Sequence, residues 1–170
     1  MESEIVKSEE VQTHQHFIVS PHPDDEVIGC YEVINNPKNS VSVMYTADVE
    51  NFRREEALKL REYRENIQMQ MFQQSIPPTM LSGKGITFYF PDPVNEIHPE
   101  HRAWGVYGEG LARAGHDVIF YTTTMNVPYI HEVNDVKKEE LLNIVYPSQK
   151  SLWEYEKKFV LFEGRCKWIF

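Results

Sequence analysis

Cysteine is scarce in this sequence, which has only Cys30 and Cys166 among its 170 residues. Two isolated cysteines do not make a disulfide framework, and a closed structural zinc site usually draws on several cysteine thiolates. We therefore expect a reducing, cytoplasmic setting for this protein. Cys30 lies in an apolar stretch with helical spacing, and we expect it to be an inert core residue.

Long hydrophobic runs and an excess of basic residues are also absent. No run approaches the length of a membrane span, and residues 1–4 are acidic and polar, which is the wrong character for a secretory signal. The chain has 17 Lys and Arg residues against 26 Asp and Glu residues, a formal net charge of -9. This charge argues against an extended nucleic-acid or anionic-membrane surface, although a local arginine can still hold a small anionic substrate. The oligomeric state is left open.

No internal repeat or low-complexity segment divides the chain, and its length suits one domain with a substantial core. Residues 1–15 are polar and acidic, so we predict a flexible N-terminal tail there and a single domain over residues 16–170. His14 and His16 lie at the end of the tail, and we expect both side chains to be solvated.

Short apolar runs alternate with segments of helical periodicity beyond the tail. We predict strands over residues 16–20, 41–45, 86–90 and 117–121, and helices over residues 25–35, 53–73, 99–114 and 135–145. Strands that alternate with helices predict an α/β fold, with a mostly parallel sheet and helices on both faces. Most charges of the long helix over 53–73 are expected on a solvated face. The aromatic-rich residues 151–170 are harder to assign.

Two clusters of histidine and carboxylate follow strands of this predicted sheet. Residues 22–26 (HPDDE) come directly after the first strand, and residues 98–102 (HPEHR) open a helix shortly after the third. Ligands of α/β sheets bind beyond the carboxyl ends of the strands, so both clusters are expected at one edge. Three protein ligands with an open fourth position are typical of a catalytic zinc site. Two histidines among the ligands favour zinc over Mg²⁺.

The residue types leave the division of roles open. If Asp25 binds the metal with His22, Asp24 stays close enough to accept a proton from a metal-activated water. Of His98 and His101, one can bind the metal while the other stabilises an oxyanion or protonates a leaving amine. The pattern therefore predicts metal-dependent hydrolysis of a polar substrate, without saying which bond is cleaved.

Residues 17–29 (FIVSPHPDDEVIG) resemble the signature of the PIG-L/LmbE-like zinc-dependent de-N-acetylases, which is a strand followed by A-H-P-D-D-E-x-x-G. Residues 98–103 (HPEHRA) resemble the family's H-P-D-H motif, with Glu100 in place of the usual aspartate. The first motif is highly specific, and the second is specific when it accompanies the first.

Two weaker similarities complete the match. Arg53-x-x-Glu56-Ala57 resembles the R-x-x-E-A start of the family's second helix. The segment from Lys138 to Gln149 is similar to a later K…Y-x-S-Q stretch. The match runs in order from about residue 16 to about residue 150.

This resemblance implies a Rossmann-like three-layer fold and a deacetylase that removes acetyl groups from N-acetylglucosamine-type amides, as in N-acetylglucosaminyl-phosphatidylinositol. It also implies a role for each matching residue. His22, Asp25 and His101 would bind Zn²⁺, Asp24 would be the general base, His98 would assist the oxyanion and the leaving amine, and Arg53 would lie near the substrate.

One region departs from the family pattern. Only residues 74–85 separate the predicted long helix from the third strand, too few for a normal β-α unit, so we expect a compressed fold and a reduced or rebuilt substrate pocket. Two alternatives follow. The first alternative to a deacetylase is a catalytically silent binding module on the same scaffold, against which the retained Asp24 argues. The second is a metal-dependent phosphoesterase, since adjacent carboxylates can also hold Mg²⁺.

Overall fold

The computed structural model describes residues 14–133 and 135–167. Most of the predicted tail, residues 1–13, therefore lies outside the described residues, and Gln15 already belongs to the first strand. The strands are β1 (Gln15–Ser20), β2 (Ser40–Tyr45), β3 (Gln68–Gln70), β4 (Ile86–Pro91), β5 (Asp117–Tyr121), β6 (Ile130–Glu132) and β7 (Phe162–Cys166). The helices are α1 (Asp25–Asn35), α2 (Asn51–Leu58), α3 (Leu60–Tyr63), α4 (Pro78–Ser82), α5 (Pro99–Arg113), α6 (Lys137–Val145), α7 (Lys150–Tyr155) and α8 (Lys158–Leu161), with a 3-10 turn at Pro147–Gln149.

The strands form one seven-stranded sheet in the order β3-β2-β1-β4-β5-β7-β6. The first five strands in this order are parallel, whereas β7 runs antiparallel to both β5 and β6. The predicted α/β fold with a mostly parallel sheet is confirmed, and the arrangement is that of a Rossmann-like three-layer fold. The strand order reverses between β1 and β4, which makes the carboxyl ends of these two strands the topological switch point.

Both faces of the sheet are packed, as the near-continuous apolar runs of its parallel strands require. Side chains of successive strand residues point to opposite faces. Ile18 of β1 therefore packs with α1 and α6, whereas Phe17 and Val19 pack on the other face with Phe90 and with Trp104 of α5. No helix among the described residues is both long enough and apolar enough to cross a membrane.

Helix α1 is broken at Cys30, where φ is −135° and ψ is 27°. Lys138 Nζ donates to the carbonyl of Ile28 at 2.7 Å, and Arg165 donates to the carbonyl of Gly29 at 3.0 Å, so these basic side chains bind backbone oxygens at the break. Gly29 is required for packing, because a Cβ atom there would lie 2.3 Å from the ring of Tyr121. As predicted, Cys30 is a free thiol in the core.

The predicted helix over residues 53–73 is right up to residue 63, where α2 and α3 cover it, and wrong beyond that point. The chain leaves the helical conformation at Arg64, where φ is −133° and ψ is 96°. The Arg64 guanidinium donates to the carbonyls of Ile34, Asn36 and Asn39 at the end of α1, so this side chain is bound rather than solvated. The unpaired carbonyls of a helix end attract such a donor, and the helical charge pattern gave no sign of it.

An edge strand replaces the end of the predicted long helix, and a short helix occupies residues 78–82 within the region 74–85 that was expected to be compressed. Residues 68–71 alternate glutamine and methionine, β3 pairs with β2, and both Met69 and Met71 pack against the core. The five-residue helix α4 then connects β3 to β4. A β-α unit is therefore present in a shortened form.

Two further differences concern the ends of the domain. His16 is half-buried, and its Nδ1 lies 2.7 Å from the Tyr89 hydroxyl, so the prediction of a solvated side chain is wrong there. His14 remains exposed, although its Nε2 lies 2.6 Å from the Thr87 hydroxyl. The C-terminal segment without a prediction forms α7, α8 and β7.

Candidate metal centre

The site lies beyond the carboxyl ends of β1 and β4, at the switch point of the sheet. After β1 ends at Ser20, the Ser20 hydroxyl donates to the carbonyl of His22 at 2.7 Å and shapes the turn into α1. Asp25 is the first residue of α1, and His101 lies in the first turn of α5, whose first position is Pro99. Both sequence clusters thus reach one edge of the sheet.

His22, Asp25 and His101 form a group that can hold a metal ion, because one ligand atom from each lies within 4.8 Å of the others. His101 Nε2 is 3.1 Å from Asp25 Oδ2, and His22 Nδ1 is 3.3 Å from His101 Nε2 and 3.5 Å from Asp25 Oδ2. Asp25 and His101 are buried, whereas His22 is partly open to solvent. Two imidazole nitrogens and one carboxylate oxygen are a common donor set for zinc.

Glu96 orients His101 and was missed by the sequence analysis. Its Oε1 lies 2.9 Å from His101 Nδ1, which leaves Nε2 facing Asp25. The Glu96 carboxylate is buried and accepts hydrogen bonds from both the backbone N–H and the hydroxyl of Thr123. A carboxylate on the far nitrogen of a ligating histidine is the usual companion of a metal site. The only local signal for it is an acidic residue in the loop before α5.

The charges of these groups stabilise one another. Burial favours the neutral form of Asp25, but the neighbouring His101 and His22 outweigh it and hold the pKa of this carboxyl below its usual range. Burial likewise disfavours a charged His101, yet Asp25 and Glu96 overcome that cost and raise the pKa of His101 to about 10. The positively charged form of His101 is therefore favoured between the carboxylates of Asp25 and Glu96.

Asp24 lies beside this group in an unusual backbone conformation, with φ of 126°. Its side chain is buried, and this burial, with the charges of Asp25 and Glu26, raises the pKa of the Asp24 carboxyl well above its usual range. The nearest cation is Arg53, whose guanidinium lies 3.9 Å from Asp24 Oδ2. A carboxyl group with a raised pKa is a stronger proton acceptor than a solvated carboxylate.

Glu26 lies beneath Asp24 and is fully buried. Its Oε1 accepts hydrogen bonds from the backbone N–H groups of Asp24, at 3.0 Å, and Val27, at 3.2 Å. Its Oε2 accepts one from the Tyr146 hydroxyl at 2.9 Å, and the Tyr45 hydroxyl lies 3.3 Å from that of Tyr146. Burial raises the pKa of Glu26 to about 7.

His98 lies outside the metal-binding group. It is the N-cap residue of α5 and is exposed, with its ring centroid 5.1 Å from that of His101 and 5.6 Å from that of His22. The structure therefore places His101 among the candidate ligands and His98 beside them. Glu100, which replaces the usual aspartate of the motif, is exposed and lies 3.7 Å from His22 Nε2.

Arg53 lies at the site, as predicted. It is the third residue of α2 and not the first residue of a long helix. Its guanidinium donates to the carbonyl of Pro23 at 2.9 Å, and its buried Nε has no hydrogen-bond partner among the described residues. The neighbouring Glu56 is buried and binds the backbone N–H and hydroxyl of Ser148. The two weaker sequence similarities thus meet in space.

Two cavities adjoin the candidate ligands. The first, of about 470 Å³, is lined by His22, Asp24, Asp25, Ile28, Arg53, Ile97, His98, His101, Thr123, Thr124, Asn126, Gln149, Leu152, Glu156, Lys158 and Phe159. The second, of about 520 Å³, is lined by His22, Thr46, Ala47, Asp48, Val49, Glu50, Arg53, Gln74, Glu100, Ala103 and Trp104. His22 and Arg53 line both, so the two cavities meet at the metal-binding group.

Fold and site together define an α/β protein with a candidate metal centre at the switch point of its sheet. Comparisons of the chain with protein-family models, with curated proteins and with solved structures found no match.

Proposed function

We propose that this protein is a zinc-dependent hydrolase that removes the acetyl group from an N-acetylated amino sugar or a related conjugate. The observation that carries the proposal is the convergence of His22, Asp25 and His101 beside the buried Asp24. The resemblance of residues 17–29 and 98–103 to the PIG-L/LmbE-like de-N-acetylases supports the same reaction.

The donor set and its surroundings fit a zinc ion. His22, Asp25 and His101 would hold it, and Glu96 on His101 Nδ1 provides the outer hydrogen bond that such sites require. A bound zinc ion would supply a water of lowered pKa and would polarise the acyl carbonyl. We further propose a reducing, cytoplasmic setting, in keeping with the free thiols of Cys30 and Cys166.

Asp24 acts as the general base in this proposal. Its carboxylate takes a proton from the attacking water while the water oxygen bonds to the acyl carbon. It then delivers the proton to nitrogen as the carbon–nitrogen bond breaks, and acetate and a free amine result. Asp24 suits both transfers because its carboxyl lies beside the candidate ligands and its burial raises its pKa, which makes it a stronger proton acceptor than a solvated carboxylate.

His98 and Arg53 act on the substrate. The exposed imidazole of His98 faces the first cavity beside His101, where it can donate a hydrogen bond to the carbonyl oxygen as negative charge develops there. Arg53 has a buried Nε free to donate, and its planar guanidinium suits a substrate hydroxyl or anionic group.

The test is a screen of zinc-loaded protein against N-acetylated sugars, nucleotide sugars and nucleosides, with acetate release as the readout. Phosphomonoesters and phosphodiesters belong in the same screen, because their cleavage would favour the phosphoesterase alternative. We expect acetate release from at least one amino-sugar derivative, dependent on added zinc.

Two variants at adjacent positions serve as matched controls. Asp25→Asn should lose zinc and activity together, whereas Asp24→Asn should keep zinc and slow turnover by roughly 10²- to 10⁴-fold. Fully zinc-loaded protein that releases no acetate would refute the proposal and favour a silent binding module. Full activity of Asp24→Asn with normal zinc content would show that the base lies elsewhere.

A further inference from the structure

The first cavity is larger than an acetyl group requires. Its volume of about 470 Å³ lies within the range of sites that enclose ligands of drug-like size, and an acetyl group is a small fraction of such a ligand. Asp24, Asp25, His98 and His101 occupy only part of its wall. The remaining wall must therefore contact some other part of the substrate.

Much of this remaining wall is apolar. Ile28 comes from α1, Ile97 from the loop before α5, Leu152 from α7 and Phe159 from α8. Ile97 is 72% exposed and Leu152 is 40% exposed, so both present apolar surface to solvent at the mouth of the cavity. Apolar surface beside a reactive centre is stabilised when a ligand covers it.

Apart from Arg53, which lies beside Asp24 at the metal-binding group, the charged residues of this wall do not offer a strong anion site. Lys158 Nζ lies 3.2 Å from the Glu156 carboxylate and 3.3 Å from Asn126 Oδ1, so its positive charge is already balanced. The part of the substrate that lies here is therefore expected to be uncharged and apolar rather than a phosphate or carboxylate.

The second cavity has the opposite character. Asp48, Glu50, Gln74 and Glu100 provide carboxylate and amide groups, and Trp104 provides an aromatic ring on the same wall. Such groups suit a hydroxylated amine, because carboxylates accept hydrogen bonds from hydroxyl groups. Asp48 is paired with Arg54, whereas Glu50 and Glu100 disfavour a phosphorylated sugar through like-charge repulsion.

We infer that the substrate is an N-acylated amino sugar whose acyl chain is longer than acetyl. The chain lies in the first cavity against Ile97, Leu152 and Phe159, and the sugar lies in the second. This inference rests on the amide hydrolysis of the proposed function and extends the acyl group that is removed beyond acetyl. The reaction is the same hydrolysis: a bond forms from water oxygen to the acyl carbon, the carbon–nitrogen bond breaks, nitrogen gains a proton, and the products are a fatty acid and an amine.

Turnover of a series of glucosamine amides tests the inference, with acetyl, butanoyl, hexanoyl and octanoyl groups as the acyl chain. With zinc-loaded protein, kcat/KM should rise about two- to fourfold for each methylene that the cavity covers. Calorimetric titration of Asp24→Asn with the same amides measures binding without turnover and should show the same order of affinity.

Leu152→Asn should flatten this dependence on chain length, because it replaces the apolar contact with a polar group of similar size. Leu161→Asn is the matched control, since Leu161 is also exposed, lies on the next helix and does not line either cavity; it should leave the dependence intact. Failure of Leu152→Asn to change the slope would overturn the assignment of this wall to the acyl chain.

The results of this series also distinguish the inference about acyl-chain length from the proposed hydrolase function. Release of acetate with a flat or falling dependence on chain length would overturn the inference and leave deacetylation standing. A gain with alkyl glycosides of N-acetylglucosamine, but not with longer acyl chains, would overturn it as well, because the apolar wall would then contact the aglycone. No release from any amide would overturn the proposed function itself.

Discussion

The carboxylate of Glu26 accepts a hydrogen bond from the backbone N–H of Asp24, at 3.0 Å, two residues earlier in the chain. Asp24 has a φ of 126°, a conformation that is unfavourable for a residue with a Cβ atom. Such conformations persist only where the surrounding structure enforces them. Glu26 thus holds the backbone of the proposed general base in place.

Replacement of Glu26 by alanine should lower kcat by roughly 10²-fold, because small displacements of a catalytic group have effects of that size. The unpaired Asp24 N–H should also reduce the free energy of unfolding by about 1–3 kcal/mol. Steady-state kinetics measures kcat and thermal unfolding measures the stability, while zinc analysis shows whether the variant still binds the metal. Tyr146→Phe is the matched control, since it removes a hydrogen bond to Glu26 but keeps the bond to Asp24. A Glu26→Ala variant with normal kcat and zinc content would contradict this role.

His98 and His101 should separate in their effects. His101→Ala should lose zinc, because its Nε2 belongs to the metal-binding group. His98→Ala should keep zinc and lose about 10²-fold in kcat, since its contribution is confined to the transition state. Zinc content measured by mass spectrometry beside kcat distinguishes them. Equal zinc loss in both variants would mean that both histidines are ligands.

Glu96 should affect zinc binding without touching the ion. Glu96→Gln weakens the hydrogen bond to His101 Nδ1, and changes of this kind typically cost about 10- to 100-fold in metal affinity. Competition with a chelating dye gives the zinc dissociation constant. Glu55→Gln, at an exposed position of α2, removes the same charge far from this hydrogen bond and should leave the constant unchanged. Equal constants for both variants would refute the role.

Arg53 should act on substrate binding. Arg53→Ala is expected to raise KM or to lower kcat/KM by roughly tenfold or more, the scale of a lost hydrogen bond to a charged group, with no change in zinc content. Arg61→Ala, an exposed arginine of α3, is the control and should have little effect. Arg64 is unsuitable as a control, because it binds carbonyls at the end of α1. Normal kinetics of Arg53→Ala would show that Arg53 does not bind the substrate.

The elements predicted well from sequence are those whose signals are local. The apolar run of β1, the helix periodicity of α1 and the position of Pro99 at the start of α5 each lie within a few residues. The alternation of strands and helices predicted only that both histidine clusters lie at one edge of the sheet, and the choice of His22, Asp25 and His101 as ligands came from the resemblance to the de-N-acetylases. The residues of the first motif share one turn, so their convergence needs little tertiary information.

The features missed from sequence depend on distant partners. Strand β7 contains Glu163, Gly164 and Arg165, a composition unlike a buried strand, and it is defined by pairing with β5 and β6. Glu96 has no motif, and its orientation depends on Thr123 and His101. The end of α3 likewise follows from what Arg64 binds. The charge pattern and the hydrophobic periodicity of a segment do not reveal its contacts with distant residues.

The hydrogen bonds at the break in α1 join residues that are synthesised at very different times. The carbonyls of Ile28 and Gly29 are bound by Lys138 and Arg165, which lie 110 and 136 residues later in the chain. At typical translation rates this separation corresponds to a delay on the order of ten seconds. His22 and Asp25 therefore leave the ribosome long before the two basic side chains that bind the break in their helix, and α1 gains both hydrogen bonds only after α6 and β7 have been synthesised.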